Sequence, residues 1–231
     1  QPQELFNPNG APARLSRLRD KYSLLTELGV ERIICVNFNR NFASMTAEYF
    51  IEHLLVEKLG IHHLIIGDDF RFGKDRRGDF DMLCHHGAKL GFTVTDTERC
   101  KLLDCRISST EIRKSLEQGN LIDAAKMLGR DYAIHGRVVH GDKRGRTIGF
   151  PTANVLLKRH VSPVSGVYAV EVETMKGIFK GVANIGSRPT VFGTRQQLEV
   201  HLFDFAFDLY GQQIKVSLKS KIRGEIKFSS I

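Results

Sequence analysis

The chain contains no tryptophan, and its four cysteines, Cys35, Cys84, Cys100 and Cys105, form no CxxC pair. The thiols read as free groups in a reducing compartment. No apolar run approaches the roughly 18–20 residues that a membrane-spanning helix needs. No basic segment followed by an apolar stretch reads as a secretory signal, so the expected location is cytoplasmic. HExxH, GxGxxG and Walker A patterns are absent, and the pairs His62-His63 and His85-His86 lack metal-ligand spacing. What is present, 42% apolar and 26% charged residues in a chain of 231, is an ordinary globular composition. That length allows two modest domains or one large one.

Acidic residues are scarce in only one part of the chain. Residues 1–131 hold 19 Lys+Arg and 19 Asp+Glu, whereas residues 132–231 hold 15 against 7 and carry the whole net charge of +8. Such a step suggests two modules, the second facing an anion.

Hydrophobic periodicity changes at the same place. In the first part, "PARLSRLRDKYSLLTELG", "TAEYFIEHLLVEKLG" and "DFDMLCHHGAKLG" have helical spacing and end at glycines. "RIICVNF", "HHLIIG" and "FTVTDT" between them read as strands. Strands alternating with helices predict a doubly wound, Rossmann-like α/β sheet, with ligands beyond the carboxyl ends of its strands. In the second part, "YAIHGRVVHG", "GVYAVEVET", "GIFKGVANI", "QQLEVHLFDF" and "QIKVSLKSKI" read as strands separated by glycine-containing turns. Five or six strands in about 100 residues predict a small antiparallel barrel. The join falls near Gly129–Tyr132, giving expected domains 1–130 and 131–231.

Two stretches of the first part have the chemistry of phosphate and ring binding. The loop "GDDFRFGKDRRGD" follows a predicted strand and could stack a planar ring on Phe70 or Phe72 with charge beside it. A solvated charged turn is the alternative. In "RISSTEIRKSL", Ser108, Ser109 and Thr110 precede a helix whose free N–H groups can face an anion, and Arg113 lies one turn in. Simple helix capping by the hydroxyls is the alternative there.

The second part offers "GDKRGRTIGFPTANV". Gly141, Gly145 and Gly149 let backbone N–H groups approach phosphate oxygens, with Lys143, Arg144 and Arg146 as countercharge. Pro151 fixes the chain direction. If the following segment is extended, Thr152 and Asn154 point to one side, and their oxygens suit a magnesium ion otherwise held by phosphates and water. Glu199, within the apolar alternation of "QLEVHLFDF", is a candidate general base. A glutamate on the solvent face of a half-exposed strand is the alternative.

Taken together, "RTIGFPTANV", "SPVSGVYAV", "GVANIGSRPT", "LEVHLFDF", "DLYGQQIKV" and "KIRGEIKF" resemble the riboflavin kinase module of the bacterial bifunctional riboflavin kinase/FAD synthetases. "IGDDFRFGKDRRGD" and "RISSTEIRKSL" resemble that family's FMN adenylyltransferase module. The resemblance implies a nucleotidyltransferase fold followed by a six-stranded Greek-key barrel. It implies that riboflavin is phosphorylated by ATP to FMN and that FMN is adenylylated to FAD. It also implies site roles. Thr152 and Asn154 would be ligands of Mg2+-ATP, Glu199 the kinase base, and residues 141–149 a wrap for the ATP phosphates. Arg223 would belong to a flavin-side lid. Ser108, Ser109, Thr110 and Arg113 would bind nucleotide phosphate, and Asp68, Asp69 and Phe70 would lie near the flavin.

The family's glycine-rich GxFDGxHxGH segment lies before the first residue of this sequence, and its C-terminal helix lies after "FSSI". The sequence is thus expected to be truncated at both ends; these 231 residues alone are expected to make no FAD at a useful rate, whereas with both end segments present both activities are expected. Expected partners are riboflavin, FMN and ATP, with no nucleic acid and no membrane. Two alternatives remain at this point: a basic β-barrel that binds nucleic acid, and a non-catalytic binder of flavin nucleotides.

Overall fold

The computed structural model describes residues 2–8, 10–97, 101–102, 105–140, 152–157, 161–190 and 193–225, with the backbone alone at 101, 102, 105, 187–190 and 193–195. In chain order the helices are α1 (Pro2–Phe6), α2 (Leu18–Glu27), α3 (Arg40–Ala43), α4 (Ala47–Tyr49), α5 (Phe80–Leu90), α6 (Ser109–Glu117) and α7 (Leu121–Leu128). The strands are β1 (His63–Ile66), β2 (Thr93–Asp96), β3 (Lys101–Leu102), β4 (Cys105–Arg106), β5 (Ala133–Val139), β6 (Thr152–Leu156), β7 (Gly166–Thr174), β8 (Gly177–Thr190), β9 (Gly193–Leu202) and β10 (Gln213–Arg223).

The chain divides into two compact units, residues 1–11 with 32–106, and residues 12–31 with 107–231. The helices α2, α6 and α7 therefore group with the barrel strands, whereas sequence pattern alone places them in the first module.

In the first unit, β1 and β2 pair in parallel, His63 opposite Thr93 through Ile66 opposite Asp96. Asp79 caps α5 by accepting from Met82 N, and Gly91 ends it in the left-handed region. Thr46 caps α4 through Tyr49 N, as its position before an apolar-periodic run predicts. The helix then continues with π-type hydrogen bonding over Phe50–Lys58. Its buried residues Ile51 and Leu55 join Phe72, Leu83 and Phe92 in one core.

The predicted strand "RIICVNF" does not form: Arg32–Phe38 carry no regular structure. Ile34 remains 66% exposed, and β1 is bonded only to β2 among the described residues. A β-rich composition gives a segment no ladder partner, and without one it is not a strand.

The second unit is built on a closed six-stranded antiparallel barrel in the order β10-β5-β6-β9-β8-β7. The connections β6 to β7 and β9 to β10 join strands that are not neighbours, so the barrel is Greek-key in type. Period-two patterning decides what lies inside. Tyr168, Val170 and Val172 of β7 are buried, as are Leu198 and Val200 of β9 and Ile214, Val216 and Leu218 of β10. Ile112 and Leu116 of α6 and Leu121 and Ala124 of α7 belong to the same core. Strand β6 needs a special neighbour. A Cβ at Gly136 of β5 would collide with Val155 Cγ1, so only glycine lets β5 and β6 approach over that side chain.

Candidate functional site

The stretch after Pro151 is extended. Thr152–Leu156 is strand β6, paired antiparallel to β9 with Thr152 opposite His201 and Asn154 opposite Glu199. Glu199 also stands opposite Asn184 of β8, so Asn154, Glu199 and Asn184 form one row across three strands. Val155, Leu198 and Val200 alternate with this row and point into the core. The row therefore occupies the outer face of the barrel.

Asn154 is only 7% exposed, and a buried carboxamide needs partners. Its Nδ2 donates to the carbonyl of Thr152 at 3.4 Å, and its Oδ1 accepts from Gln197 Nε2 at 2.5 Å. The same Gln197 nitrogen lies 3.4 Å from Glu199 Oε1, which it also supplies with a hydrogen bond. One amide thus ties the carboxamide to the acid.

Thr152 and Asn154 together line a cavity of about 460 Å3. Its opposite wall is the segment after β9, including Phe205, Phe207, Asp208 and Tyr210. Tyr210 stacks on His140 with ring centres 3.9 Å apart. Glu199 is not among the described lining residues and stands beside the cavity through its link to Asn154. A hydroxyl and a carboxamide oxygen are hard, neutral donors. They suit a divalent ion that keeps phosphate and water as its other ligands. Asn154 Oδ1 has a second lone pair beyond the one engaged by Gln197. Gly141, Lys143, Gly145, Arg146, Gly149 and Pro151 lie outside the described residues. Arg223 ends β10, is exposed, and donates to the carbonyl of Gly224 at 3.0 Å.

In the same unit, Ser108 is the N-cap of α6, its Oγ accepting from Glu111 N at 3.2 Å. Arg113 Nε donates to the Ala13 carbonyl at 2.7 Å, which directs this guanidinium toward the segment leading into α2. Ser109 and Thr110 are exposed in the first turn. Capping and anion contact are thus both available to this helix start, and the Ser108 hydroxyl performs the first.

In the first unit, Asp68, Asp69 and Phe70 follow the carboxyl end of β1 in a turn closed by Phe70 N donating to Gly67 O at 3.0 Å. Asp69 Oδ2 accepts from Arg106 at 2.8 Å. Phe70 stacks on Phe72 with centres 5.5 Å apart, and Phe72 stands against Phe50. The two phenylalanines, equivalent by sequence, differ in role. Phe72 is core, held over Gly78, where a Cβ would meet its ring at 2.5 Å. Stacking of a ligand on Phe72 is excluded by this burial, and only Phe70 retains an exposed surface. Among the described residues no group of three or more His, Cys, Asp or Glu is placed to hold a metal ion.

Comparison with known proteins gives these surfaces a context. The family model for riboflavin kinase matches residues 128–231, and that for FAD synthetase matches residues 1–111. The bifunctional riboflavin kinase/FMN adenylyltransferase of Escherichia coli (strain K12) is 56% identical over all of this chain and 74% of its own length. The proteins of the same name from Haemophilus influenzae and Pseudomonas fluorescens are 52% and 47% identical, over all of this chain and 75% and 74% of theirs. The chain belongs to the bifunctional riboflavin kinase/FMN adenylyltransferase family.

A crystal structure of a macrolide-efflux protein from Streptococcus pneumoniae shares the fold, with a TM-score of 0.79 and 31% identity over all of this chain and 75% of that one. No helix among the described residues here is long and apolar enough to cross a membrane.

Two further side chains of these surfaces are not singled out by sequence pattern. Gln197 reads as one more polar residue of an alternating strand, and its bridging position follows only from the β6–β9 register. Arg106 precedes the serine-threonine run but meets Asp69, 37 positions away.

Proposed function

We propose that this chain acts in flavin cofactor biosynthesis, phosphorylating riboflavin to FMN at the barrel and adenylylating FMN to FAD through the first module, 1–130, with the barrel domain spanning 131–231. The observation that carries the kinase reading is the pairing of Asn154 with Glu199 across β6 and β9, beside a cavity lined by Thr152 and Asn154. ATP occupies that cavity, where the rings of Phe207 and Tyr210 offer apolar faces for a planar base. Thr152 and Asn154 would hold Mg2+, which when bound neutralises charge on the transferring phosphoryl group.

Glu199 accepts the proton of the riboflavin 5′-hydroxyl as that oxygen bonds to the γ-phosphorus and the bond to ADP breaks. Gln197 holds Asn154 and Glu199 at a fixed spacing, so the ion ligand and the base keep register. Residues 141–149 and Pro151 are the candidates by sequence for contacting the phosphates, and Arg223 is the candidate for the flavin side.

For adenylylation, Ser109, Thr110, the remaining N–H groups of Arg113 and the N-terminus of α6 with its capping residue Ser108 bind nucleotide phosphate. Phe70 supplies a ring face for the flavin, flanked by Asp68 and Asp69. The substrates are riboflavin, FMN and ATP, and the setting is the cytoplasm, with neither nucleic acid nor membrane as partner.

The test is chromatographic separation of products after incubating the protein with riboflavin, ATP and magnesium. FMN appearing in step with ADP supports the kinase reading, and FAD with pyrophosphate supports the second activity. A protein that returns riboflavin unchanged contradicts the kinase reading, and one that leaves supplied FMN and ATP unchanged contradicts the second.

A further inference from the structure

The second unit contains another pocket, between the start of α2 and the outer side of β5. Its volume is about 300 Å3, and Arg17, Arg19, Asp20, His135, Arg137 and Gln213 contribute its polar lining. It shares no lining residue with the cavity at Thr152 and Asn154.

Four basic side chains and one carboxylate line this pocket, and that carboxylate is already engaged. Asp20 is 7% exposed, its Oδ2 accepts from the backbone N–H of Arg17 at 2.8 Å, and its Oδ1 lies 3.1 Å from His135 Nδ1. Arg17 donates one N–H to the carbonyl of His135 at 3.1 Å, and Arg137 donates one to the carbonyl of Gly211 at 2.8 Å. A guanidinium carries five N–H donors and no acceptor, so the lining keeps a large excess of donors after these bonds.

The position makes the excess costly. The first turn of a helix has a positive end-potential and favours acidic side chains. In α2 it carries Arg17 at the cap and Arg19 within the turn, while the one acid is shared between the Arg17 backbone N–H and the histidine. Arg137, from β5, adds a third guanidinium to the same walls. Like charges gathered on the same walls are mutually unfavourable. An anion would reverse the sign of each of those interactions, and departures of this kind from local preference mark functional surfaces.

We propose that this pocket binds a phosphate group, carried either by free pyrophosphate or by the tail of a nucleotide, at a site separate from the kinase cavity. The proposal stands independently of the activities assigned above. Guanidinium groups pair with phosphate oxygens through two parallel hydrogen bonds, and three of them around a pocket this small suit a multiply charged anion better than a carboxylate.

The test uses the full 231-residue protein without magnesium. Pyrophosphate and ADP are titrated separately by calorimetry into the wild type, Arg19→Glu and Arg137→Gln. Arg19 is exposed, so Arg19→Glu tests the site without disturbing the core. Losing one charge-assisted contact is expected to weaken pyrophosphate binding about tenfold or more in each variant, and added salt should weaken it in the wild type. If ADP shows the same loss, the occupant is a nucleotide tail; if only pyrophosphate does, it is the free anion. Equal affinities in all three proteins, or no binding of either probe to the wild type, overturn the proposal.

Discussion

Asn154 and Glu199 stand opposite each other in the β6–β9 ladder, and Gln197 Nε2 reaches the oxygen of the first at 2.5 Å and that of the second at 3.4 Å. This relationship makes a carboxamide and an acid one unit. Moving either strand by a residue would send the two side chains to opposite faces of the sheet.

The first prediction concerns that unit. Asn154→Ala removes an oxygen donor from the cavity and leaves the Gln197 amide without its nearest acceptor. We expect a higher magnesium concentration for half-maximal FMN formation, and a stability loss of about 1–2 kcal/mol from the broken buried hydrogen bond. Magnesium titrations of turnover and thermal melts measure the two effects separately. An unchanged magnesium requirement would remove Asn154 from the ion's ligands.

A second prediction tests how β6 is seated. Gly136→Ala places a methyl group against Val155 at the closest approach of β5 and β6. Overpacking of this kind costs about 1–3 kcal/mol. The variant should melt earlier than the wild type and, because β6 carries Thr152 and Asn154, lose FMN formation at temperatures where it remains folded. A melt identical to the wild type would show that the barrel accommodates the methyl group.

The two phenylalanines of the first unit give a third. Phe72 is buried against Phe50 and over Gly78, so Phe72→Ala should cost about 3–5 kcal/mol of stability. Phe70 is partly exposed, so Phe70→Ala should leave the melting curve nearly unchanged and weaken FMN binding, as read by flavin fluorescence. Retained FMN affinity in Phe70→Ala would take this ring out of the flavin site.

The fourth follows from the barrel core. Burial pushes the Tyr168 phenol above its ordinary value, and its hydroxyl donates to the Ser165 carbonyl at 2.9 Å, a bond that only the protonated form makes. The native state thus holds this proton at a pH where the unfolded chain has begun to release it. Its contribution to stability is complete below the ordinary value of about 10 and declines as pH rises through the native value. Tyr168→Phe should flatten stability in that alkaline window, at a cost near neutral pH of about 1 kcal/mol for the lost hydrogen bond. Denaturant titrations at neutral and alkaline pH compare the slopes, and parallel declines in both proteins would contradict the assignment.

The barrel was largely legible in the sequence because alternation specifies which face of each strand is buried. β7, with Tyr168, Val170 and Val172 inward, is found where its pattern puts it. Helix ends were legible where local chemistry fixes them, as at Asp79, Gly91 and Ser108. Segments whose state depends on distant partners were not. Arg32–Phe38 has strand composition and no ladder, and Phe70 and Phe72 differ only through what folds over them. At the candidate site, Thr152, Asn154 and Glu199 could be nominated from residue type. The bridge by Gln197 and the meeting of Arg17, Arg137 and His135 arise from register and packing, which one-dimensional spacing does not encode.

The central claim is that phosphate is transferred to riboflavin at the cavity beside β6 and β9, with Glu199 as the base. Its most direct measurement follows label from the γ-phosphate of ATP into FMN for the wild type and Glu199→Ala, with ATP affinity determined in parallel. The account predicts labelled FMN from the wild type, a rate lower by a factor on the order of 100 or more in the variant, and closely similar ATP affinities. Equal rates of labelling in the two proteins would contradict it.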